Sequence, residues 1–287
     1  MKKLVRQIIL LFLLSCLVAF LLLNAFIIQP NSLRLRYETI SSPKIPKSLD
    51  NYTIVFFSDL HYNNFTTKAR AQKAIDTINS VGANTVIFLG DLYDHPTHNT
   101  ISPEIQNELA ELLSQIEAKN GKFAILGNHD YESEKASQLI TQSLIYANFE
   151  VIINGSQKLY SGNANEYIQL IALDSYLLGN PDIPRAFKGI DADTFNLLIT
   201  HCPDIYDDID TSLCDLVLAG HSHGGQVFIP LIESYFRPQG ALVYFRGKYF
   251  TDNQAILDIT NGVGTTQIDV RFNAPAEIVV YRLIHEE

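Results

Sequence analysis

The chain has 287 residues, 47% hydrophobic and 18% charged, with a formal net charge of −10. That apolar content excludes a disordered chain, three cysteines exclude a disulfide scaffold, and the acidic balance argues against broad nucleic-acid binding. The charge is unevenly spread. Residues 1–50 hold seven Lys/Arg and two acids, a balance of +5, so the remaining 237 residues carry −15. A basic, apolar leader precedes an acidic body.

Ile8 to Ile28 is a run of 21 residues without a charge, interrupted in its apolar character only by Ser15, Cys16 and Asn24. As a helix it would span about 30 Å, the hydrocarbon thickness of a bilayer. The run is longer than the apolar region of a signal peptide and has no clear A-x-A exit, so residues 1–29 read as an uncleaved membrane anchor. Lys2, Lys3 and Arg6 favour a cytoplasmic N-terminus, although Arg34, Arg36, Lys44 and Lys47 lie just past the other end. The expectation is a single-pass protein of the cell membrane with its body outside the cytoplasm.

Residues 30–50 contain Pro30, Pro43 and Pro46 with serines and mixed charge, and read as a linker. Residues 51–287 then form one large α/β domain. Short apolar runs at Thr53–Phe57, Thr85–Leu89, Lys122–Leu126, Phe195–Thr200 and Asp215–Ala219 suit strands covered on both faces. Helical patterns lie at about 67–81, 103–119 and 132–147, giving a β-α-β alternation. After Gly225 the helices fade. Val227–Ile229, Leu242–Phe245, Ala255–Ile259, Gln267–Phe272 and Glu277–Leu283 read as antiparallel strands. Leu231–Phe236 and Leu242–Phe245 could face lipid but read better as sheet core. Cys202 and Cys214 are reduced core thiols or one disulfide.

The turns after the five apolar runs carry the chemistry. They read Ser58-Asp59-Leu60-His61, Gly90-Asp91, Gly127-Asn128-His129-Asp130, His201 and Gly220-His221-Ser222-His223-Gly224-Gly225. Five of the eight histidines sit in four of these turns. Ligands of open α/β sheets bind outside the carboxyl ends of strands, so the five turns could converge. In extended backbone, Asp59 and His61 point the same way, as do His221 and His223. The Asp91 carboxylate can bridge two cations, Asn128 offers a carbonyl oxygen and His201 another imidazole. These seven mixed N and O donors suit two borderline divalent metals about 3.5–4 Å apart. Each residue alone has an ordinary reading as a turn, cap or core residue; their joint placement at strand ends favours the metal site.

In this order, the motifs resemble the calcineurin-like metallophosphoesterase superfamily over about residues 52–285. His221-Ser222-His223-Gly224-Gly225-Gln226, His201-Cys202-Pro203-Asp204 and Pro275-Ala276-Glu277 are similar to its membrane-anchored or exported bacterial phosphodiesterase branch. The resemblance implies a four-layer α/β/β/α sandwich of two mixed β-sheets flanked by helices, behind one N-terminal transmembrane helix. It implies one metal on Asp59, His61, Asp91 and His223, and a second on Asp91, Asn128, His201 and His221. Mn²⁺ is the expected ion, with Fe, Zn, Ni or Co as alternatives. His129 would stabilise or protonate the leaving oxygen, and Asp130 would orient His129. Asn261-Gly262-Val263-Gly264 departs from the more usual Arg-Gly before the last strands.

The implied function is metal-dependent hydrolysis of a phosphoester, as a phosphodiesterase at the membrane or envelope. Activity should collapse below about pH 6 as histidine ligands protonate. The substrate partner could be lipid-linked, as for UDP-lipid pyrophosphate hydrolases, and no nucleic acid is expected. A non-catalytic metal-binding scaffold is the alternative from another class, disfavoured because the seven ligands and His129 are all present.

Overall fold

The computed structural model describes residues 2–230, 237–250 and 255–287. Two six-stranded sheets stack face to face. In chain order the strands are β1 (Leu33–Ser42), β2 (Tyr52–Phe57), β3 (Thr85–Phe88), β4 (Gly121–Ala124), β5 (Glu150–Val151), β6 (Gly155–Tyr160), β7 (Tyr167–Ala172), β8 (Asn196–Ile199), β9 (Leu216–Ala219), β10 (Gly247–Phe250), β11 (Ile256–Ile259) and β12 (Ala276–His285). One sheet has the order β1-β12-β2-β3-β4-β5, the other β10-β11-β9-β8-β7-β6. Both are mixed: β2, β3, β4 and β5 pair in parallel, while β12 runs antiparallel to β2.

The apolar runs of β2, β3, β8 and β9 are buried on both faces, which explains why they do not alternate. Ile54, Phe56 and Ile87 from one sheet meet Leu170, Leu197 and Leu218 from the other in the central core. The outer face of the first sheet is covered by helices Lys68–Val81, Pro103–Ser114 and Glu134–Tyr146 through Ile78, Leu109 and Ile140. Thr67, Ser102 and Ser133 cap these helices by accepting from N–H groups of their first turns. The second sheet's outer face carries the shorter helix Ile183–Ala186 and the 3₁₀ segment Pro203–Asp208, with Ile205 and Tyr206 packed inward. The layers are thus α/β/β/α.

The segment expected to be a linker instead contains β1, ten residues paired in parallel with β12 from Leu33↔Ala276 to Ser42↔His285. Arg36 in β1 also reaches the other sheet. Its Nη1 and Nη2 donate to Asp258 of β11 at 2.8 Å each. The alternating, half-exposed pattern of an edge strand with arginines explains why its sequence does not look apolar.

The region after Gly225 also departs from expectation. Of its five expected strands, Ala255–Ile259 and Glu277–Leu283 correspond to β11 and β12. β11 pairs in parallel with β9 and antiparallel with β10, and β12 pairs in parallel with β1. Val227–Ile229 and Gln267–Phe272 meet only at the bridge Val227↔Phe272. Leu242–Phe245 is not a strand. The Asp204 carboxylate accepts from the N–H groups of Leu242, Val243 and Tyr244 at 2.6, 3.1 and 3.0 Å, taking the donors a ladder would use. Leu231–Phe236 lies outside the described residues. Cys202 and Cys214 are buried free thiols.

Lys2–Asn31 forms a continuous helix long and apolar enough to cross a membrane, and its apolar window packs against nothing in the protein. Its last turns touch the domain: Ala25 O accepts from Arg271 N at 2.9 Å, and Arg70 Nε donates to Asn31 Oδ1 at 2.9 Å.

Candidate metal centre

The carboxyl ends of β2, β3, β4, β8 and β9 lie at one edge of the stacked sheets, and the turns beyond them carry the seven candidate ligands and His129. The turns are tight. Asp59, His61, Asp91, His221 and His223 all have left-handed backbone, with φ between 45° and 69°. Non-glycine residues held there signal a site fixed by its surroundings. Gly90 and Gly127 let two turns touch: a methyl on Gly90 would lie 2.3 Å from Gly127 N, and one on Gly127 would lie 2.2 Å from Asp91 Oδ1.

The donor atoms converge from residues far apart in sequence. Asp59, His61 and His223 place one ligand atom each within 4.8 Å of one another, as do Asp59, Asp91 and His201. Asp91 Oδ2 lies 3.6 Å from His61 Nε2 and 3.2 Å from His201 Nε2, between the two halves. His201 Nε2 is also 3.2 Å from Asn128 Oδ1. His223 Nε2 is 3.7 Å from Asp59 Oδ1.

The other ring nitrogens decide which atom faces inward. His201 Nδ1 donates to Leu89 O at 2.7 Å, leaving Nε2 for the centre. His221 Nε2 donates to Gln239 O at 2.8 Å, which leaves Nδ1 buried without a hydrogen-bond partner. A buried nitrogen lone pair with no donor costs free energy unless a cation or proton takes it. His221 lies beside His201, and this orphaned nitrogen, with the two carboxylates and other imidazoles of the centre, fits the donor set of borderline divalent metals. His61 Nδ1 faces the Asp94 carboxylate at 3.2 Å, the usual outer partner of a metal-binding histidine.

The electrostatics separate three of the imidazoles. Burial and the neighbouring His201 push His221 down to about 4. Burial and His61 push His223 well below the ordinary range. His201 goes the other way: burial opposes its charge, but Asp91 raises it to about 9. For Asp91, burial is outweighed by His201 and His129, which hold its carboxyl well below the usual range.

His129 sits at the start of a 3₁₀ turn, His129–Tyr131, with its N–H donating to Asp91 Oδ1 at 2.9 Å. Its Nε2 faces Asp91 Oδ2 at 3.9 Å. The hydrogen-bond partner of its ring is not the neighbouring aspartate expected from sequence but Glu132. Among the described residues Asp130 makes no hydrogen bond to the His129 ring. Its carboxylate accepts from the N–H groups of Gly127, Asp91 and Leu92 at 2.8–2.9 Å and ties the two turns together. His129 Nδ1 is held by Glu132 Oε1 at 2.7 Å, and the same oxygen holds His95 Nδ1 at 2.8 Å. Sequence reasoning missed Glu132 and Asp94. Glu132 follows His129 by three residues, one helical turn, which was the available signal. Cys202 lies beside His201 and His221, and burial raises its thiol far above the range where it would ionise.

A cavity of about 400 Å³ opens at the centre, lined by His129, His221 and His223 together with Leu177, Pro238 and Ile268. The family model described as "Calcineurin-like phosphoesterase" matches residues 52–225. The chain belongs to this family. Its members are dimetal-dependent hydrolases, and this chain is a metal-dependent phosphoesterase. It is 32% identical over 261 residues to the uncharacterized metallophosphoesterase YkuE of Bacillus subtilis, covering 89% of this chain and 87% of that one. It is 27% identical over 236 residues to the phosphodiesterase YaeI of Escherichia coli, covering 81% and 82%. It is 25% identical over 311 residues to the UDP-2,3-diacylglucosamine pyrophosphatase LpxG of Chlamydia trachomatis, covering 90% and 92%.

Proposed function

We propose that the protein is a membrane-anchored phosphodiesterase that uses two divalent cations, with Mn²⁺ the preferred ion. The reading is carried by Asp91, whose Oδ2 lies between His61 on one side and His201 on the other. Asp59, His61, Asp91 and His223 would hold one cation, and Asp91, Asn128, His201 and His221 the other. When bound, the cations supply an activated water and positive charge for the phosphoryl oxygens. The protein's own part is to place and orient. Asp130 locks the Gly90-Asp91 and Gly127-Asn128 turns against each other. Glu132 accepts the hydrogen bond of His129 Nδ1–H, which orients the ring so that Nε2 can face the reacting phosphate and stabilise or protonate the leaving oxygen. Two cations and two aspartates make the centre net positive inside an acidic body, which suits an anionic ester.

A lipid-linked pyrophosphate is the second substrate reading. The apolar cavity wall of Leu177, Val227, Pro238, Ile268 and Val270 favours it. So does the apolar helix, whose end is bonded to Arg271 just beyond that wall. The helix would hold the cavity near the headgroups, with the domain outside the cytoplasm.

The full chain in detergent, assayed on chromogenic phosphodiesters, phosphomonoesters and a lipid-linked pyrophosphate, tests both readings. Diester turnover that is abolished by chelator and restored by Mn²⁺ is the expected result. Turnover that survives complete chelation would overturn the two-cation reading.

A further inference from the structure

Arg271 is fully buried. Its guanidinium donates to the carbonyl oxygens of Ala274 at 2.8 Å, Asn261 at 2.9 Å, Gly262 at 3.2 Å and Gly264. Every one of these acceptors is a main-chain carbonyl. Three belong to the Asn261–Gly264 loop, the segment where the sequence departs from its family pattern. A planar fork of five N–H donors can gather several carbonyls at once; an ammonium point charge cannot hold the same set.

That loop lies directly under one half of the candidate metal centre. Val263 N donates to Ser58 O at 3.0 Å, and Gly264 N donates to Asp59 O at 2.7 Å. Gly262 has φ +68°, and a methyl there would lie 2.7 Å from Asp59 Cβ. The loop also meets the turn holding His223: a methyl on Gly224 would sit 2.1 Å from Asn261 Oδ1. Loop 261–264 therefore packs against the backbone that presents Asp59 and against the residue after His223. Asp91, His201 and His221 also have holds outside this loop: Asp130 accepts from Asp91 N, Leu89 O from His201 Nδ1 and Gln239 O from His221 Nε2; the halves meet where His221 N donates to the Asp59 carboxylate at 3.0–3.1 Å.

We propose that Arg271 is a positioning residue that fixes the Asp59–His61–His223 half of the metal centre by holding the carbonyls of the 261–264 loop. Its charge also lies close enough to Asp59 to attract it. The proposal rests on the two-cation reading, so the experiment separates the two. Metal-free full-length protein in detergent is titrated with Mn²⁺ by calorimetry, as wild type, Arg271→Met and Arg271→Lys. Wild type binding fewer than two ions per chain would overturn the two-cation reading and this proposal with it. With two ions in wild type, Arg271→Met should keep one at close to wild-type affinity and weaken the other at least tenfold, with Arg271→Lys between. Gly262→Ala, which presses on Asp59 from the same loop, should reproduce the split and stands in if Arg271→Met does not fold. A variant with wild-type circular dichroism that binds both ions normally, or weakens both equally, would overturn the positioning role.

Discussion

Nε2 of His61 and Nε2 of His223 face each other at 3.1 Å, brought together from turns 162 residues apart. Two neutral imidazoles cannot both point lone pairs across that gap, so one proton or one cation must lie between them. Without metal the proton belongs to His61. Burial opposes its charge, but the Asp94 carboxylate beside Nδ1 and Asp91 raise it above its ordinary value, whereas His223 is held well below. A bound cation would replace that proton.

Metal loading should therefore release protons. His201, raised to about 9, must also lose one before Nε2 can bind. Between pH 6 and 9 the apparent Mn²⁺ affinity should rise about tenfold per pH unit for each proton released. Calorimetric titration in buffers of different ionisation enthalpy counts those protons. An affinity flat over this range would contradict the assignment of His201 and His61 as ligands.

The same shift sets the stability of the metal-free protein. A group raised in the folded state stabilises below its unfolded value and loses that contribution as pH rises through its folded value. For His201 the window runs from about 6.5 to about 9. With chelator present, the thermal midpoint should fall across that window. With Mn²⁺ at about 100 times its dissociation constant, the folded state gains about 2.7 kcal/mol, so the fall should be reduced or reversed. Parallel melts at pH 6.5, 7.5 and 9 would check this.

Glu132 and Asp130 should separate in function. Glu132→Gln leaves the cation ligands intact but weakens the hold on His129 Nδ1, so turnover should fall about 10–100-fold with metal content unchanged. Asp130→Asn removes a carboxylate that satisfies three buried N–H groups. It should cost about 1–3 kcal/mol for each bond lost, read by denaturant unfolding. An Asp130 variant of normal stability and low turnover would restore the role first expected for it.

β1 should prove indispensable. Arg36→Ala strands the buried Asp258 carboxylate, which among the described residues then keeps the Tyr281 hydroxyl at 2.8 Å as its side-chain partner, and should destabilise by about 3–5 kcal/mol. A chain starting at residue 30 should fold, and one starting at 43 should not. Protease resistance of the two truncations distinguishes the outcomes. Equal resistance would mean that β1 is dispensable after all.

The sequence by itself determined the leader's apolar length, the doubly buried strands and the residue types at their ends. Those signals are local: hydrophobic run length, and donors placed one or two residues past a strand. Tertiary structure alone decided which partner each side chain meets. Asp130 and Glu132 lie one and three residues from His129, yet the turn aims the nearer carboxylate at backbone N–H groups and the farther one at the ring. β1 looked like a linker because an edge strand needs apolar residues on one face only, and its arginines find Asp258 and Glu277 more than 200 residues away. The −15 of the body describes the surface. At the centre, buried dipoles and opposing charges set each imidazole separately, and only the folded chain brings them within range.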